Sequence, residues 1–161
     1  MGERPLAIAV SALVRDNRIL LIRRIKGSYA GLMGLPGGKI EQDEHASEAA
    51  VREALEESGI ESTVRRFMGI VSEHEVEDGR VANHYLLFIF ELEPKHAEIT
   101  ESSEGKLEWC DLKEIGKMRD RIIPSDFEII GRLGGNGAGY YNCVIEKAGE
   151  TYLLREFKQI G

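Results

Sequence analysis

Apolar residues in this chain gather into short runs, many with period-two spacing, and these runs predict most of its elements. Leu6 to Val14 and Arg18 to Arg24 are apolar, partly β-branched runs separated by Asp16-Asn17, which reads as a β-hairpin. Thr63 to Glu73 and Val81 to Leu92 read as two further strands, joined by a turn at Glu77-Asp78-Gly79-Arg80. Lys106 to Asp111 alternates as a short strand, with Leu112 to Met118 following as a short helix. Tyr140 to Lys147 and Glu150 to Phe157 alternate around Ala148-Gly149 and predict a closing hairpin.

Composition and punctuation mark the remaining segments. Ala46 to Ser58 has Ala at 46, 49, 50 and 54, a Leu and neither Gly nor Pro, so a helix is expected. Pro124 suits the start of a second helix over Ser125 to Leu133. Lys26 to Leu35 is Gly-rich and reads as a loop, ending in a tight turn at Leu35-Pro36-Gly37-Gly38. The glycine run Gly134 to Gly139 lacks the Lys-Ser/Thr that follows in a phosphate-binding P-loop, and it reads as a connector.

On the first helix Glu53, Glu56 and Glu57 are related by i, i+3 and i+4, which places their carboxylates on one stripe. Val51 and Leu55 project on the opposite side, where they are expected to pack against a sheet while the acids face a cleft. Like charges at this spacing destabilise an isolated helix by roughly 0.2–0.5 kcal/mol per pair, so a bound cation accounts for the cluster better than chance. Oxygen donors without a nearby His or Cys suit a hard ion, Mg²⁺ or Mn²⁺, and Mg²⁺ commonly shares its coordination sphere with substrate phosphates. Arg52 stands among the acids with a donor fork suited to orienting Glu53 or Glu56. A carbonyl of the preceding turn could join the metal shell.

The acids belong to a longer pattern. Gly38 to Ile60 reads GKIEQDEHASEAAVREALEESGI, with its Gly, Glu, Arg-Glu, Glu-Glu and Gly-Ile at the offsets GX5EX7REUXEEXGU, where U is apolar. This segment resembles the signature box of the Nudix (MutT-like) hydrolases at each fixed position, Ala54 being a small residue at the first apolar slot. The resemblance implies the α/β class, with an α/β/α sandwich in which a mixed sheet is flanked by helices. It also implies Mg²⁺-dependent hydrolysis of a nucleoside diphosphate linked to another moiety. Carried over by position, Glu56 and Glu57 would be the main metal ligands and Gly38 a carbonyl ligand. Glu53 would be a further ligand or the water-activating base, Arg52 its orienting partner and Glu44 a supporting carboxylate. Glu53, Arg52 and Glu57 are thus the expected catalytic group.

In that family a glutamate ahead of a strand with a Glu-Trp pair often completes the metal site. Glu108-Trp109 supplies the pair, so Glu101, Glu104 and Glu108 are the candidates, and Glu104, followed by Gly105, is preferred. Trp109 offers a face for stacking on a base, although a strand Trp is more often core. His84 and Tyr85 could line the substrate cleft, although a satisfied structural His is the commoner case, and Arg23, Arg24 and Lys26, just before the loop into the box, could hold phosphates or simply be solvated.

Length and charge narrow the picture. A chain of 161 residues is long enough for one domain with a hydrophobic core, here residues 1–133 plus a connector and hairpin over 134–161. That C-terminal hairpin extends past the minimal Nudix core, as an added sheet edge or as a contact in a homodimer. A net charge of −7 argues against a broad nucleic-acid-binding surface. Cys110 and Cys143 resemble no metal motif and suit a reducing compartment, and no apolar run is long enough to span a bilayer. The expectation is a soluble, cytoplasmic enzyme acting on a small-molecule nucleotide. Because the first proline after Ile60 is Pro94 and no tyrosine follows the box before Tyr85, the subfamily patterns favour a nucleoside triphosphate pyrophosphohydrolase of MutT type. The alternatives are an ADP-ribose or nucleotide-sugar pyrophosphatase and, from another class, a non-catalytic nucleotide-binding sensor.

Overall fold

Asp16 and Asn17 both adopt left-handed backbone, with φ of 51° and 61°, and their turn joins β1 (Leu6–Arg15) to β2 (Arg18–Arg23). This is a computed structural model, and it describes residues 3–161. The loop after β2 leads to β3 (Met33–Gly34) and β4 (Gly37–Lys39), then to α1 (Ala46–Ser58). A long hairpin follows, β5 (Ser62–Glu77) and β6 (Arg80–Pro94), turning at Asp78-Gly79. Then come β7 (Leu107–Asp111), a 3-10 helix (Ile115–Arg121), α2 (Pro124–Ile130), β8 (Gly139–Ala148) and β9 (Thr151–Gln159).

The strands form one sheet in the order β3-β2-β1-β6-β5-β8-β9, with β4 paired to β1 and β7 to β2. β1 runs parallel to β6 and β5 parallel to β8, while the other pairs are antiparallel, so the sheet is mixed. Successive side chains of β1 and β2 enter opposite cores. Ala9, Leu13, Leu20 and Ile22 meet α1, whereas Val10, Ala12, Ile19 and Leu21 join the core that holds Ile129 and Ile130 of α2. Burial on both faces explains why these strands read as nearly continuous apolar runs.

The packing of α1 departs from the expectation. Leu55 is 45% exposed and Val51 only partly buried, whereas Ala49, Ala50 and Ala54 are fully buried. Ala50, Glu53, Ala54 and Glu57 occupy i, i+3, i+4 and i+7, so the inward stripe mixes small residues with two of the acids. Small side chains let the helix lie close to β1, where the Ser11 hydroxyl donates to Ala50 O at 2.7 Å. Leu55, one position beyond Ala54, lies about 100° further around the helix and turns outward.

Other boundaries shift for local reasons. β5 and β6 extend further at both ends because their antiparallel pairing continues from Ser62↔Pro94 to Glu77↔Arg80. α2 stops at Ile130, short of Leu133, and the expected helix at Leu112–Met118 is displaced to a 3-10 helix over Ile115–Arg121. β4 forms inside the expected tight turn because Gly37 and Gly38 pair with Val10 and Ala9. Among the described residues no helix is long and apolar enough to cross a membrane.

Candidate active site

α1 is closed at both ends by local bonds that orient its acidic stripe. Glu48 accepts the His45 backbone N–H at 2.7 Å, and Gly59, with φ of 73°, donates its N–H to Leu55 O at 2.8 Å. The stripe faces the turn before β4. Pro36 O accepts the Ser11 N–H at 2.8 Å, and the Gly37 N–H is donated to Glu57 Oε1 at 2.8 Å. A side chain at Gly38 would collide with the Glu53 carboxyl, so any larger residue there would displace that carboxylate.

Arg52 organises the outer acids. Its Nε and Nη2 donate to the two oxygens of Glu44 at 2.9 and 2.6 Å, while Nη1 reaches Glu53 at 2.8 Å and Glu56 at 3.1 Å. The Arg52 bonds, with a smaller contribution from the Glu41 N–H, hold the Glu44 carboxyl down at about 2. Burial pushes Glu53 up against the pull of Arg52. Burial also raises Glu57 to about 8, with Glu53 and Glu104 adding to the rise and the Gly37 N–H and Arg24 opposing it. Glu104 therefore acts electrostatically on both inward acids.

A second polar cluster lies in the sheet. Tyr29 donates its hydroxyl to Glu73 Oε2 at 2.8 Å, and Ser28 and Asn83 donate to Glu75 Oε1 at 2.7 and 2.9 Å. The Ser28 hydroxyl also meets the Tyr85 hydroxyl at 2.7 Å. Asp126, in the first turn of α2, accepts the Leu35 N–H at 2.9 Å, and burial raises it to about 7. Arg24 joins the two clusters, since its charge draws down Glu57, Glu73, Tyr85 and Asp126 alike.

Residues 5–133 match the family model described as NUDIX domain. This chain belongs to the Nudix family. It is similar to the ADP-ribose pyrophosphatase of Methanocaldococcus jannaschii, 34% identical over 114 residues that span 70% of this chain and 66% of that protein. The CTP pyrophosphohydrolase of Escherichia coli is 31% identical over 125 residues, 76% of this chain and 87% of its own. The crystal structure of MutT protein from Bacillus halodurans shares the fold, with a TM-score of 0.75 over 96% of this chain and 97% of that one at 24% identity. Nudix homologues are pyrophosphohydrolases acting on phosphoanhydride bonds, and Nudix hydrolases generally use divalent metals.

The donor set suits such an ion. The charge of Glu104 favours a proton or cation at both Glu53 and Glu57, Glu53 does the same at Glu57, and every donor, including Gly38 O, is oxygen. Among the described residues no three acids converge at coordination distance, because Arg52 holds Glu53 and Glu56 while Gly37 holds Glu57.

The Nudix site does not gather every candidate. Trp109 packs on the α1-side core and gives its indole N–H to Ala97 O at 2.9 Å. His84 bonds Ser72 at 2.9 Å and stacks edge-on to His74, on the strand face opposite its neighbour Tyr85. Arg23 is exposed and contacts Gly31 O, whereas Arg24 turns inward to Ser28 O at 2.9 Å. Glu101 is exposed, and Glu108 pairs across from Leu21 and contacts Cys110. Sequence reasoning missed Tyr29, Glu73, Glu75 and Asp126. The available signal was the i, i+2 spacing of Glu73 and Glu75 in a strand, which puts two acids on one face.

Proposed function

We propose that this Nudix hydrolase cleaves a nucleoside triphosphate to a monophosphate and pyrophosphate, the MutT type of reaction. The observation that carries the reading is the placement of Glu53 and Glu57 on the buried stripe of α1, against Gly37 and Gly38. The similarity to a CTP pyrophosphohydrolase over most of that protein supports the triphosphate.

Glu53, Glu56, Glu57, Glu104 and Gly38 O would hold Mg²⁺ or Mn²⁺, which supplies positive charge to polarise the phosphate. Arg52 binds Glu53 through Oε1, leaving Oε2 to accept the proton of the attacking water. Glu44 keeps the Arg52 fork in place. Arg24, inside the site, offers a cation to the phosphates.

The 34% identity to an ADP-ribose pyrophosphatase favours a second reading, hydrolysis of a nucleoside diphosphate linked to a sugar. One panel separates the readings: dNTPs and NTPs, ADP-ribose, nucleotide sugars and diadenosine polyphosphates, each with Mg²⁺, with Glu57→Gln as control. Turnover concentrated in the triphosphates is expected. Preference for ADP-ribose transfers the assignment to the second reading, and tight binding without turnover points to a sensor. Activity that persists undiminished in Glu57→Gln rules out the site.

A further inference from the structure

On the far half of the sheet only one face is closed. In β5 and β8, Val71 and Cys143 are buried on the α2 side, whereas Ile70 and Val144, pointing the other way, are half-buried. The tail hairpin follows the same division: Tyr152, Leu154 and Phe157 pack on the α2-side core, where the Tyr152 hydroxyl accepts the Tyr29 N–H at 3.1 Å. The opposite face lacks such cover, since α1 packs on β1, β4, β6 and β5, and the helix on which β8 and β9 pack is α2. Ile70, Leu86 and Val144 on this open face join neither hydrophobic core. Strand pairing sets Phe67 beside Phe90, Tyr140 beside Ile70 and Leu153 beside Glu146, all on the same face, and the first of each pair is 39%, 41% and 37% exposed. Exposed apolar residues are ordinary one at a time, but a patch running across four strands marks an interaction surface.

Charge and area choose the occupant. The charged groups of the patch lie on its β8–β9 border, Glu146 and Glu156 with Arg155 and Lys158, two of each sign on a chain whose net charge is −7. A basic partner would gain nothing from so balanced a border. A second copy turned about a two-fold axis meets the border reversed, acids towards bases, without net repulsion. Arg155 is already bonded to Glu146 at 2.7 Å, which leaves Glu156 and Lys158 to reach across. Four strands about 4.8 Å apart and about eight residues long, at roughly 3.3 Å per residue, present on the order of 500 Å². Two such faces bury about 1,000 Å², the lower bound of specific association, so the contact is a weak one. The outer edge of β9 suits pairing less, because the register shift between Val144 and Ile145 leaves Arg155 as a bulge. We propose that this open face is a two-fold interface through which two copies of the chain associate sheet to sheet.

Sedimentation velocity of the full chain between about 1 and about 500 µM tests it. The weight-average mass should rise with concentration from the monomer's 18.0 kDa towards twice that value. Tyr140→Glu and Leu153→Glu each put a carboxylate into the apolar contact and should weaken association at least about ten-fold. Leu6→Glu, at a position 40% exposed but on the α2 side beside Tyr85, should leave association unchanged. All three side chains are exposed, and melting temperatures matching the wild type will show that the variants keep the fold. A wild-type chain that stays monomeric throughout overturns the proposal and leaves the face to some other occupant. A dimer that survives both Tyr140→Glu and Leu153→Glu overturns it as well and moves the contact to the β9 edge. Equal weakening by Leu6→Glu has the same force, since the effect would then be one of charge alone. Because the readout is mass, the result stands apart from the hydrolase reading.

Discussion

Gly37 and Glu57 are joined by a 2.8 Å hydrogen bond from backbone to carboxylate, and two residues earlier Leu35 gives its own N–H to Asp126 at 2.9 Å. A single turn is thus gripped from opposite faces of the sheet, by α1 and by α2. The position of the Nudix acids relative to the backbone depends on both helices, although only one lies within the box.

Glu57→Gln keeps an oxygen to accept the Gly37 N–H while removing the charge. Turnover should fall by roughly 10²–10⁴, the range for loss of an essential acid or base, with no loss of melting temperature. Steady-state kinetics beside calorimetry will show this, and a large drop in melting temperature would mean that the carboxylate is chiefly structural.

Gly38→Ala drives a methyl group into the Glu53 carboxyl. Activity should drop at least ten-fold, and the variant should require more Mg²⁺ for half-maximal rate. A Mg²⁺ titration that superimposes on that of the wild type argues against Gly38 as part of the metal shell.

Arg52→Lys retains a cation but loses the fork that binds both oxygens of Glu44. Glu44 should then titrate nearer its ordinary value than the wild type's value of about 2. Because the folded-state pKa of Glu44 lies below its unfolded value of 4.5, its contribution to stability is present above pH 4.5 and is lost as pH falls towards 2. Carboxyl chemical shifts across an acid titration will follow the change, and an unmoved Glu44 in the lysine variant would dismiss the fork.

Packing of α1 can be checked at adjacent positions. Leu55→Ala should alter stability by no more than about 0.5 kcal/mol, as expected of an exposed position. Ala54→Leu, by contrast, should destabilise by about 1–3 kcal/mol through overpacking against the sheet. Urea unfolding of the two variants would reverse this order if Leu55 were the packed residue.

Asp126 sets a pH dependence of the opposite sign. Burial lifts its carboxyl from an ordinary value of 3.8 to about 7, despite the Leu35 N–H. Between those values the folded chain keeps a proton that the unfolded chain has released, so stability is fullest below about pH 4 and falls as pH rises towards 7. Asp126→Asn should flatten that slope in metal-free protein, by a few kcal/mol at most given ~1.4 kcal/mol per unit. Melting curves from pH 4 to 8 that keep the same slope in both proteins would contradict it.

The first hairpin, the span of α1 and the offsets of the box were legible because each depends on near neighbours: the Asp16-Asn17 turn, an alanine-rich segment without breakers, and glycines at fixed distances from acids. The inward face of α1 was less legible. Its buried positions are alanines and glutamates, so apolar periodicity pointed to Leu55 instead. For Trp109 and His84 residue type left both a ligand contact and a structural role open, and the fold engages Trp109 with Ala97 and His84 with Ser72.

From its sequence alone, this protein's family, mixed α/β architecture and acidic helix could be derived, since these follow from local propensity and from spacing along one element. Tertiary structure alone decided that Glu57 is buried beside Gly37, that Arg24 rather than Arg23 turns inward, and that Asp126 and Tyr152 act on the loop and turn leading into the box. Those pairings join residues far apart in the chain, and burial raises the carboxyl pKa values only after the two faces of the sheet have closed.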